Sequence, residues 1–423
     1  MTTVGKRFRF MKVIAEGGFG KVYLAEMMST DGFSRIVAVK VLHSKWSSHD
    51  EVVMRTRDEA RLLGLIRHQH IVKVEDLTSI NGLCAIVMEY LEGLDMKCVA
   101  KYQNALGLAI PNATIFESMV AVTSALDAAY NGKPLQSDAS LQVIHRDIKP
   151  SNIFLTTNGN VKVLDFGTAR ANFAEREAKT MELSFGSQGY MAPERLLGEP
   201  DTPAADIFSL GVTLYELLAR EPFGRIVPRA AKLTAKVAER VGSLQLSGDD
   251  AWGSSVKETL VEMLSAEPNE RPTAEALIDT FDDLARRADG DGLRKFCRST
   301  VVEAKRVEPV QSGDDDPLFG RTVPVDVSGV FSNGETGEVD TLETTDPGEI
   351  TSPGESSGAQ PRGDGFTGKT PRSLSLPIVA GVAALLALGG GYVLLSADAP
   401  PEETKQVEKL KVETPKSSTS GLE

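Results

Sequence analysis

The spacing of apolar residues changes along the chain and predicts strands in its first part and helices in its second. Over residues 8–89 the apolar residues form short β-type runs, of which Leu83–Met88 is the longest uninterrupted one. Runs of this length bounded by glycine and polar residues are typical of strands. One helical pattern interrupts them, at about residues 50–67. From residue 112 to about residue 287 most of the spacing is helical.

Residues 143–170 carry a cluster of polar side chains around a predicted hairpin. An Asn-Gly pair at 158–159, a strong turn signal, separates two short apolar runs. Asp147 and Asn152 then lie on the loop before the hairpin, and Asp165 lies at its end. Phosphoryl transfer from a nucleotide needs a carboxylate to deprotonate a hydroxyl and hard oxygen ligands for Mg²⁺. The stretch therefore predicts a base and metal ligands.

The motif HRDIKPSN at 145–152, followed by DFG at 165–167, resembles the catalytic core of the eukaryotic-like serine/threonine protein kinases. The resemblance covers about residues 8–287. It implies an α+β, bilobal protein-kinase fold, with a β-rich N-lobe and a helical C-lobe that bind ATP between them. The arrangement of the whole chain is similar to the bacterial, membrane-anchored members of that family.

The resemblance also implies the catalytic roles. Asp147 is expected to accept the proton of a Ser or Thr hydroxyl, and Lys149, typical of the Ser/Thr form of this loop, to steady the transferred phosphoryl group. Asn152 and Asp165 are the expected ligands of Mg²⁺, with Mn²⁺ as an alternative ion.

A glycine-rich motif, AEGGFGK, begins at Ala15, where kinases usually carry glycine. By resemblance its backbone covers the phosphates, and Lys40 contacts them while a carboxylate on the following helix holds it. Glu59 is preferred for that carboxylate over Glu51 and Asp58. The residues expected to contact the nucleotide are Ile14, Ala15, Glu16, Gly17, Gly18, Phe19, Gly20, Lys21, Val22, Ala38, Lys40, Glu59, Met88, Glu89, Leu91, Phe154 and Asp165.

The resemblance assigns the adenine contacts among these residues. Val22 covers the adenine from above, and Phe154 forms the floor of the pocket. Met88 closes its back, while the backbone of Glu89 and Leu91 reads the adenine edge. A plain strand and core aromatic would give the same pattern without these roles.

The segment from Asp165 to Glu194 matches an activation segment that ends in the motif APE. Arg146 stands beside the catalytic aspartate, and an unpaired arginine there is an electrostatic cost that a phosphate would relieve. Thr180 and Ser184 are the candidate acceptors of that phosphate, and the sequence does not choose between them.

Three further residues resemble structural ones of the family. Asp206 matches a buried aspartate that braces the catalytic loop, while Glu194 and Arg271 match an ion pair that ties the activation segment to the C-lobe. Residues 131–142 are predicted to form a surface loop, to which no function is assigned.

Composition narrows the class of partners. The 423-residue chain has a formal net charge of −13, which argues against nucleic acid as a partner. Its three cysteines have no metal-ligand spacing and predict no disulfide framework. The basic start of the chain lacks an apolar segment typical of a signal peptide, so we expect the kinase region to be cytoplasmic.

After a helical extension at 288–306, residues 307–373 are rich in Gly, Pro, Ser, Thr, Asp and Glu and predict a disordered acidic juxtamembrane linker. Thr322 and Thr344 are candidate autophosphorylation sites that would recruit phosphothreonine-binding partners. A plain tether is the alternative interpretation.

Residues Leu374 to Leu395 form an uncharged apolar stretch of the length that spans a hydrocarbon core of ~30 Å. We therefore predict a single-pass helix in the cell membrane, with basic residues on its cytoplasmic side. Small residues at 383, 387 and 391 form a face on which two helices of a homodimer could pair. Residues 396–423 would be a short extracytoplasmic tail.

Two other classes of protein share parts of this sequence pattern. A membrane-tethered pseudokinase scaffold usually lacks an equivalent of Lys40, Asp147 or Asp165, and all three are present. A small-molecule phosphotransferase is disfavoured by the complete activation segment. The most plausible interpretation is thus a protein kinase that acts on Ser and Thr of other proteins and of itself in signal transduction.

Overall fold

The computed structural model describes residues 6–18, 20–29, 31–47, 49–134, 138–166, 188–307 and 316–324. They form an N-lobe built around a six-stranded sheet and a C-lobe of helices with a small three-stranded sheet. The predicted bilobal α+β fold is therefore confirmed.

The N-lobe sheet has the strand order β4-β5-β3-β2-β1-β9, and every neighbouring pair is antiparallel. Its strands are β1 (Arg7–Glu16), β2 (Gly20–Met28), β3 (Ser34–Leu42), β4 (Val74–Ile80), β5 (Leu83–Glu89) and β9 (Thr322–Pro324). Two helices, α1 (Ser44–Ser47) and α2 (Asp50–Leu65), follow β3. Alternate residues of the strands bury Phe8, Phe10, Tyr23 and Val39 on one face, as the two-residue period of a strand requires.

The C-lobe helices enclose the larger hydrophobic core. Their bounds are α3 (Met96–Ala105), α4 (Asn112–Asn131), α5 (Pro193–Leu196), α6 (Pro203–Ala219), α7 (Ala230–Gly242), α8 (Asp250–Met263), α9 (Ala274–Arg287), α10 (Leu293–Phe296) and α11 (Val302–Val307). A π-helical segment, Cys297–Val301, separates the last two helices. Trp252 lies fully buried, packs edge-on against Phe116 at 5.6 Å and donates to the carbonyl of Leu284.

The small sheet carries the predicted catalytic hairpin at the top of the C-lobe. Its strands are β6 (Gly93–Asp95), β7 (Ile153–Thr156) and β8 (Val161–Val163), in that order. The one-turn 3₁₀ helix Pro150–Asn152 leads directly into β7. The loop that carries the predicted base is thus anchored by a sheet on one side.

The structure differs from expectation after the kinase domain. Residues 316–324 belong to the predicted disordered linker, yet they pack on the N-lobe and add β9 to its sheet. The physical reason is that Leu318 and Val323 bury their side chains in the N-lobe core, a surface that the linker's composition does not reveal. Residue 307 ends α11, and residues 308–315 and 325–373 of the predicted linker lie outside the described residues.

No helix among the described residues is both long and apolar enough to cross a bilayer. The predicted membrane span at 374–395 lies outside them and stays a prediction.

Candidate active site

The glycine-rich hairpin joins β1 to β2, and its shape depends on Gly20. The amide of Gly17 donates to the carbonyl of Gly20 at 2.9 Å and closes the turn. A Cβ on Gly20 would stand 2.3 Å from the carbonyl oxygen of Val41, so no larger residue fits without backbone movement. Ala15 lies in β1 opposite Val22, directly after a register irregularity between Val13 and Ala15. Its backbone is not left-handed, so alanine replaces glycine there without strain.

Two side chains that the sequence did not single out hold this hairpin. His43 Nε2 donates to the carbonyl of Gly17 at 2.9 Å, and Trp46 Nε1 donates to the carbonyl of Gly18 at 2.9 Å. Both residues follow β3, where no motif marks them. These contacts hold the carbonyls of Gly17 and Gly18 toward the segment that follows β3.

Lys40 lies in the middle of β3, where its register partners are Val22 in β2 and Ile86 in β5. Its Nζ donates to Oδ1 of Asp165 at 2.5 Å. Asp165 adopts a left-handed backbone conformation, with φ of 49°, at the end of the catalytic hairpin. The structure places Glu59 on α2, but its side chain lies outside the described part of the chain, so the Lys40–Glu59 pair stays a prediction.

The three predicted catalytic residues lie within hydrogen-bond distance of one another. Lys149 Nζ donates to both carboxylate oxygens of Asp147, at 2.9 and 2.8 Å. Asn152 Nδ2 donates to the backbone carbonyl of Asp147 at 2.7 Å and to its Oδ2 at 3.0 Å. The carboxylate is thereby fixed in one orientation, and the amide oxygen of Asn152 is turned away from it.

A buried carboxylate supports this loop from below, as predicted for Asp206. It accepts the amides of His145 and Arg146, each at 2.7 Å, and burial raises its pKa despite these contacts. Burial lowers the pKa of His145. The neutral ring accepts from the amide of Asp147 at Nδ1 and donates from Nε2 to the carbonyl of Leu164.

The donor set fits a hard divalent cation. The side chain of Asp165 is 42 % exposed. The amide oxygen of Asn152 faces away from Asp147, because its nitrogen donates to that residue. Carboxylate and amide oxygens are ligands that Mg²⁺ prefers. Asp165 and Asn152 are the residues that would hold the ion, which would neutralise charge on the phosphates when bound.

The hinge between the lobes contains the predicted adenine contacts. Met88 lies half-buried in β5, one residue before the strand ends, opposite Ala38 of β3. The carboxylate of Glu89 accepts from Lys162 Nζ at 2.6 Å, and its amide donates to the carbonyl of Lys73. Since the backbone amide and the carboxylate of Glu89 are both engaged, its backbone carbonyl is the group expected to contact the adenine edge.

The remaining predicted contacts lie on separate elements. Leu91 follows β5, and Phe154 lies half-buried in β7. Ile14 and Glu16 lie in β1, and Lys21 begins the exit of the hairpin into β2. Phe19 lies outside the described residues.

The expectation that Arg146 is unpaired is wrong. Its Nε lies 2.7 Å from Oδ2 of Asp201, whose other oxygen pairs with Nε of Arg195 at 2.8 Å. Asp201 is distant in sequence from the catalytic loop, so no local pattern pointed to it. Thr180 and Ser184, the candidate phosphate acceptors, lie outside the described residues.

The predicted ion pair of Glu194 and Arg271 is present and buried. The guanidinium donates to both carboxylate oxygens, at 2.6 and 2.8 Å. Arg271 also donates to three backbone carbonyls, those of Ala204, Ser265 and Ala266. It thus joins the end of the activation segment to the helical lobe.

Comparison with known proteins agrees with this geometry. The protein kinase domain family matches residues 8–281, and the chain therefore belongs to that family. Tyrosine-protein kinase MasK of Myxococcus xanthus is 33% identical over 67% of this chain and 44% of its own length. Serine/threonine-protein kinase PrkC of Bacillus subtilis is 31% identical over 71% of this chain and 43% of its own.

A third relative, serine/threonine-protein kinase PknA of Mycobacterium tuberculosis, is 36% identical over 52% of this chain and 49% of its own length. The chain thus spans less than half of each of these relatives. The solved kinase domain of Mycobacterium tuberculosis PknI is 22% identical, with a TM-score of 0.48, and covers 66% of this chain and 96% of that one. Bacterial serine/threonine kinases dominate these relatives, as the sequence motifs predict.

Proposed function

We propose that the protein is a serine/threonine protein kinase that transfers the γ-phosphoryl group of ATP to Ser and Thr hydroxyls of proteins, including its own. The observation that carries this proposal is the joint placement of Asp147, Lys149 and Asn152 beside the Lys40–Asp165 pair. In this assignment Asp147 accepts the hydroxyl proton, and Lys149 stabilises the transferred group. Lys40 holds the phosphates, while Asn152 and Asp165 hold the metal ion.

A wide cavity beside the catalytic loop supports a protein substrate over a small molecule. Its volume is about 1090 Å³, and it extends from Lys149 and Pro150 past Tyr190 to Lys101 and Arg220. Small-molecule sites are usually enclosed on most sides, whereas this cavity runs along the C-lobe surface. We infer that a segment of a protein substrate binds there.

Lys149 supports Ser and Thr over Tyr as acceptors, because it lies against Asp147 in the position typical of Ser/Thr kinases. One relative is named a tyrosine kinase, so the acceptor is a direct question for experiment. The pseudokinase alternative is disfavoured, since Lys40, Asp147 and Asp165 are present and in contact with catalytic partners.

The position in the cell is also part of the proposal. The uncharged stretch from Leu374 to Leu395, with basic residues before it and acidic residues after it, supports a membrane anchor with the kinase domain in the cytoplasm and a role in signalling. Pairing of two such helices would make a homodimer. Thr322 would recruit a phosphothreonine-binding partner only after leaving β1, because it is part of β9.

Asp201 changes how phosphorylation of Thr180 or Ser184 would act, because it already pairs with Arg146. A phosphate on the activation segment would compete with Asp201 for Arg146, since the two ions would share one guanidinium. Mutation of both acceptors to alanine should lower activity if this competition matters.

The test is transfer of radiolabelled phosphate from ATP by the full chain in detergent, with Asp147→Asn as the inactive variant. Glu303→Gln, on the exposed face of α11, is a matched control with the same loss of charge. We expect phosphoserine and phosphothreonine with the wild type and the control, and none with Asp147→Asn. ATP binding without transfer to a generic substrate would favour the scaffold instead, and phosphotyrosine alone would reverse the acceptor assignment.

A further inference from the structure

The chain beyond the kinase domain contacts both lobes in turn. At the C-lobe the amide of Leu293 donates to Glu117 of α4 at 2.9 Å. Beside the hinge, Lys305 Nζ of α11 lies 3.0 Å from Oε1 of Glu92. Residues 316–324 then lie on the N-lobe, at the edge of β1. This segment, residues 316–324, is here called the docking segment.

The docking segment completes the N-lobe sheet and core. Its strand pairs with β1 in the register Phe8 to Val323, and the amide of Phe10 donates to the carbonyl of Arg321 at 3.0 Å. Leu318 and Val323 are only 7% and 9% exposed and pack in the core of the sheet. An edge of unpaired amides and carbonyls is thereby covered over part of β1.

The first residue of the docking segment reaches the glycine-rich hairpin. The side chain of Asp316 is 4% exposed. Its carboxylate accepts from Lys21 Nζ at 3.0 Å, from the hydroxyl of Tyr23 at 3.1 and 3.2 Å, and from the amide of Leu318 at 3.0 Å. Every one of these donors lies in β2 or in the docking segment itself.

Lys21 and Tyr23 are the two neighbours of Val22, the residue expected above the adenine. Side chains of successive strand residues point to opposite faces, so Asp316 holds the strand from the face away from the nucleotide. Val22 pairs across the sheet with Lys40. A contact that fixes Lys21 and Tyr23 therefore also fixes the height of Val22 and of the hairpin over the nucleotide site.

We propose that Asp316 is a positioning residue for the nucleotide-binding hairpin, supplied by a segment that lies outside the kinase domain. Hydrogen bonds to Asp316 raise the pKa of Lys21. Burial acts to raise the pKa of Asp316, but its hydrogen bonds outweigh burial and leave it lowered. Both groups are therefore charged at neutral pH. The inference rests on ATP binding at the hairpin, as the proposed function requires.

The experiment uses the full chain and three variants. Asp316→Asn removes the charge but keeps the volume and one acceptor for the amide of Leu318. Asp316→Glu restores the charge, and Glu303→Gln removes a charge elsewhere in the same C-terminal extension. The dissociation constant of a fluorescent ATP analogue, the KM for ATP and kcat are measured for each. Hydrogen exchange of residues 7–16 reports whether the docking segment stays on β1.

We expect Asp316→Asn to raise the dissociation constant and the KM for ATP by roughly five-fold, the lower end of typical coupling between sites. Its kcat should change less than about two-fold, because a positioning contact acts on binding and not on the transferred group. Asp316→Glu should recover most of the loss, and Glu303→Gln should match the wild type.

Exchange of residues 7–16 should stay slow in Asp316→Asn, since Leu318 and Val323 still anchor the segment. If Asp316→Asn has the same dissociation constant and KM for ATP as the wild type, the positioning role of Asp316 is wrong, while the proposed kinase function is unaffected. Faster exchange with unchanged ATP constants would also overturn it, because the segment would then be structural only. A wild type that binds no ATP would overturn the kinase function itself.

Discussion

Removal of one partner of the buried Glu194–Arg271 pair should strongly destabilise the helical lobe. The two side chains are 4% and 0% exposed, so neither charge regains water when its partner is lost. Breaking such a pair typically costs about 3–5 kcal/mol. We place Glu194→Gln near the lower value, because Arg271 keeps three backbone carbonyls as acceptors. We place Arg271→Met near the upper value, because Glu194 keeps no guanidinium and those carbonyls lose their donor.

The assay is urea denaturation followed by tryptophan fluorescence, for which buried Trp252 of α8 is the reporter in the C-lobe. The double variant, Glu194→Leu with Arg271→Met, leaves no unpaired charge and should be more stable than Arg271→Met alone. Arg286→Met is the matched control, since its i,i+4 pair with Asp282 is largely exposed and should contribute less than about 1 kcal/mol. Additive effects in the double variant, or single losses as small as the control's, would refute the reasoning.

Three further outcomes follow from the site. Gly20→Ala should lower the free energy of unfolding by about 1–3 kcal/mol and weaken ATP binding, because the added Cβ would clash with the backbone of Val41. A Cβ added at Gly18 has no heavy atom within 4 Å, so Gly18→Ala should leave thermal stability unchanged. Asp206→Asn leaves one backbone amide of the catalytic loop without its acceptor, and should lower both kcat and stability, the latter by about 1–3 kcal/mol in denaturant titrations. Burial lowers the pKa of His145, so the neutral ring stabilises the fold fully above pH 6.5. Below that pH the free energy of unfolding falls by up to about 1.4 kcal/mol per pH unit. The free energy of unfolding of His145→Asn, measured between pH 7.5 and 5.5, should therefore fall less steeply than that of the wild type.

The catalytic part of the fold was predictable because its signals are local. The turn pair at 158–159 and the apolar runs beside it specify a hairpin, and the spacing of HRDIKPSN before it puts Asp147 and Asn152 on one loop. The structure has that hairpin in β7 and β8. The resemblance likewise indicates Lys40, which lies in β3.

Contacts between distant segments could not be predicted in the same way. The ion pair of Arg146 with Asp201 joins residues on different loops, and neither position carries a local signal for the other. His43 and Trp46 bind the hairpin through side chains that belong to no motif. The docking segment is harder still, because its sequence contains proline and glycine and lies in a polar stretch, so local composition predicts disorder. The edge of β1, the N-lobe core and β2 supply the contacts that hold it.

This placement changes how the linker relates to catalysis. A chain that left from α9 would depart from the helical lobe, where a pull on the linker would have no direct contact with the nucleotide site. Instead, the described chain ends at Pro324, paired with Arg7 of β1. With the proposed membrane anchor, tension beyond this residue would act first on β9. Release of the docking segment would expose Leu318 and the edge of β1 and would leave Lys21 with Glu16, whose carboxylate lies 3.6 Å from its Nζ. We therefore expect a partner bound to the chain beyond Pro324 to act first on the N-lobe.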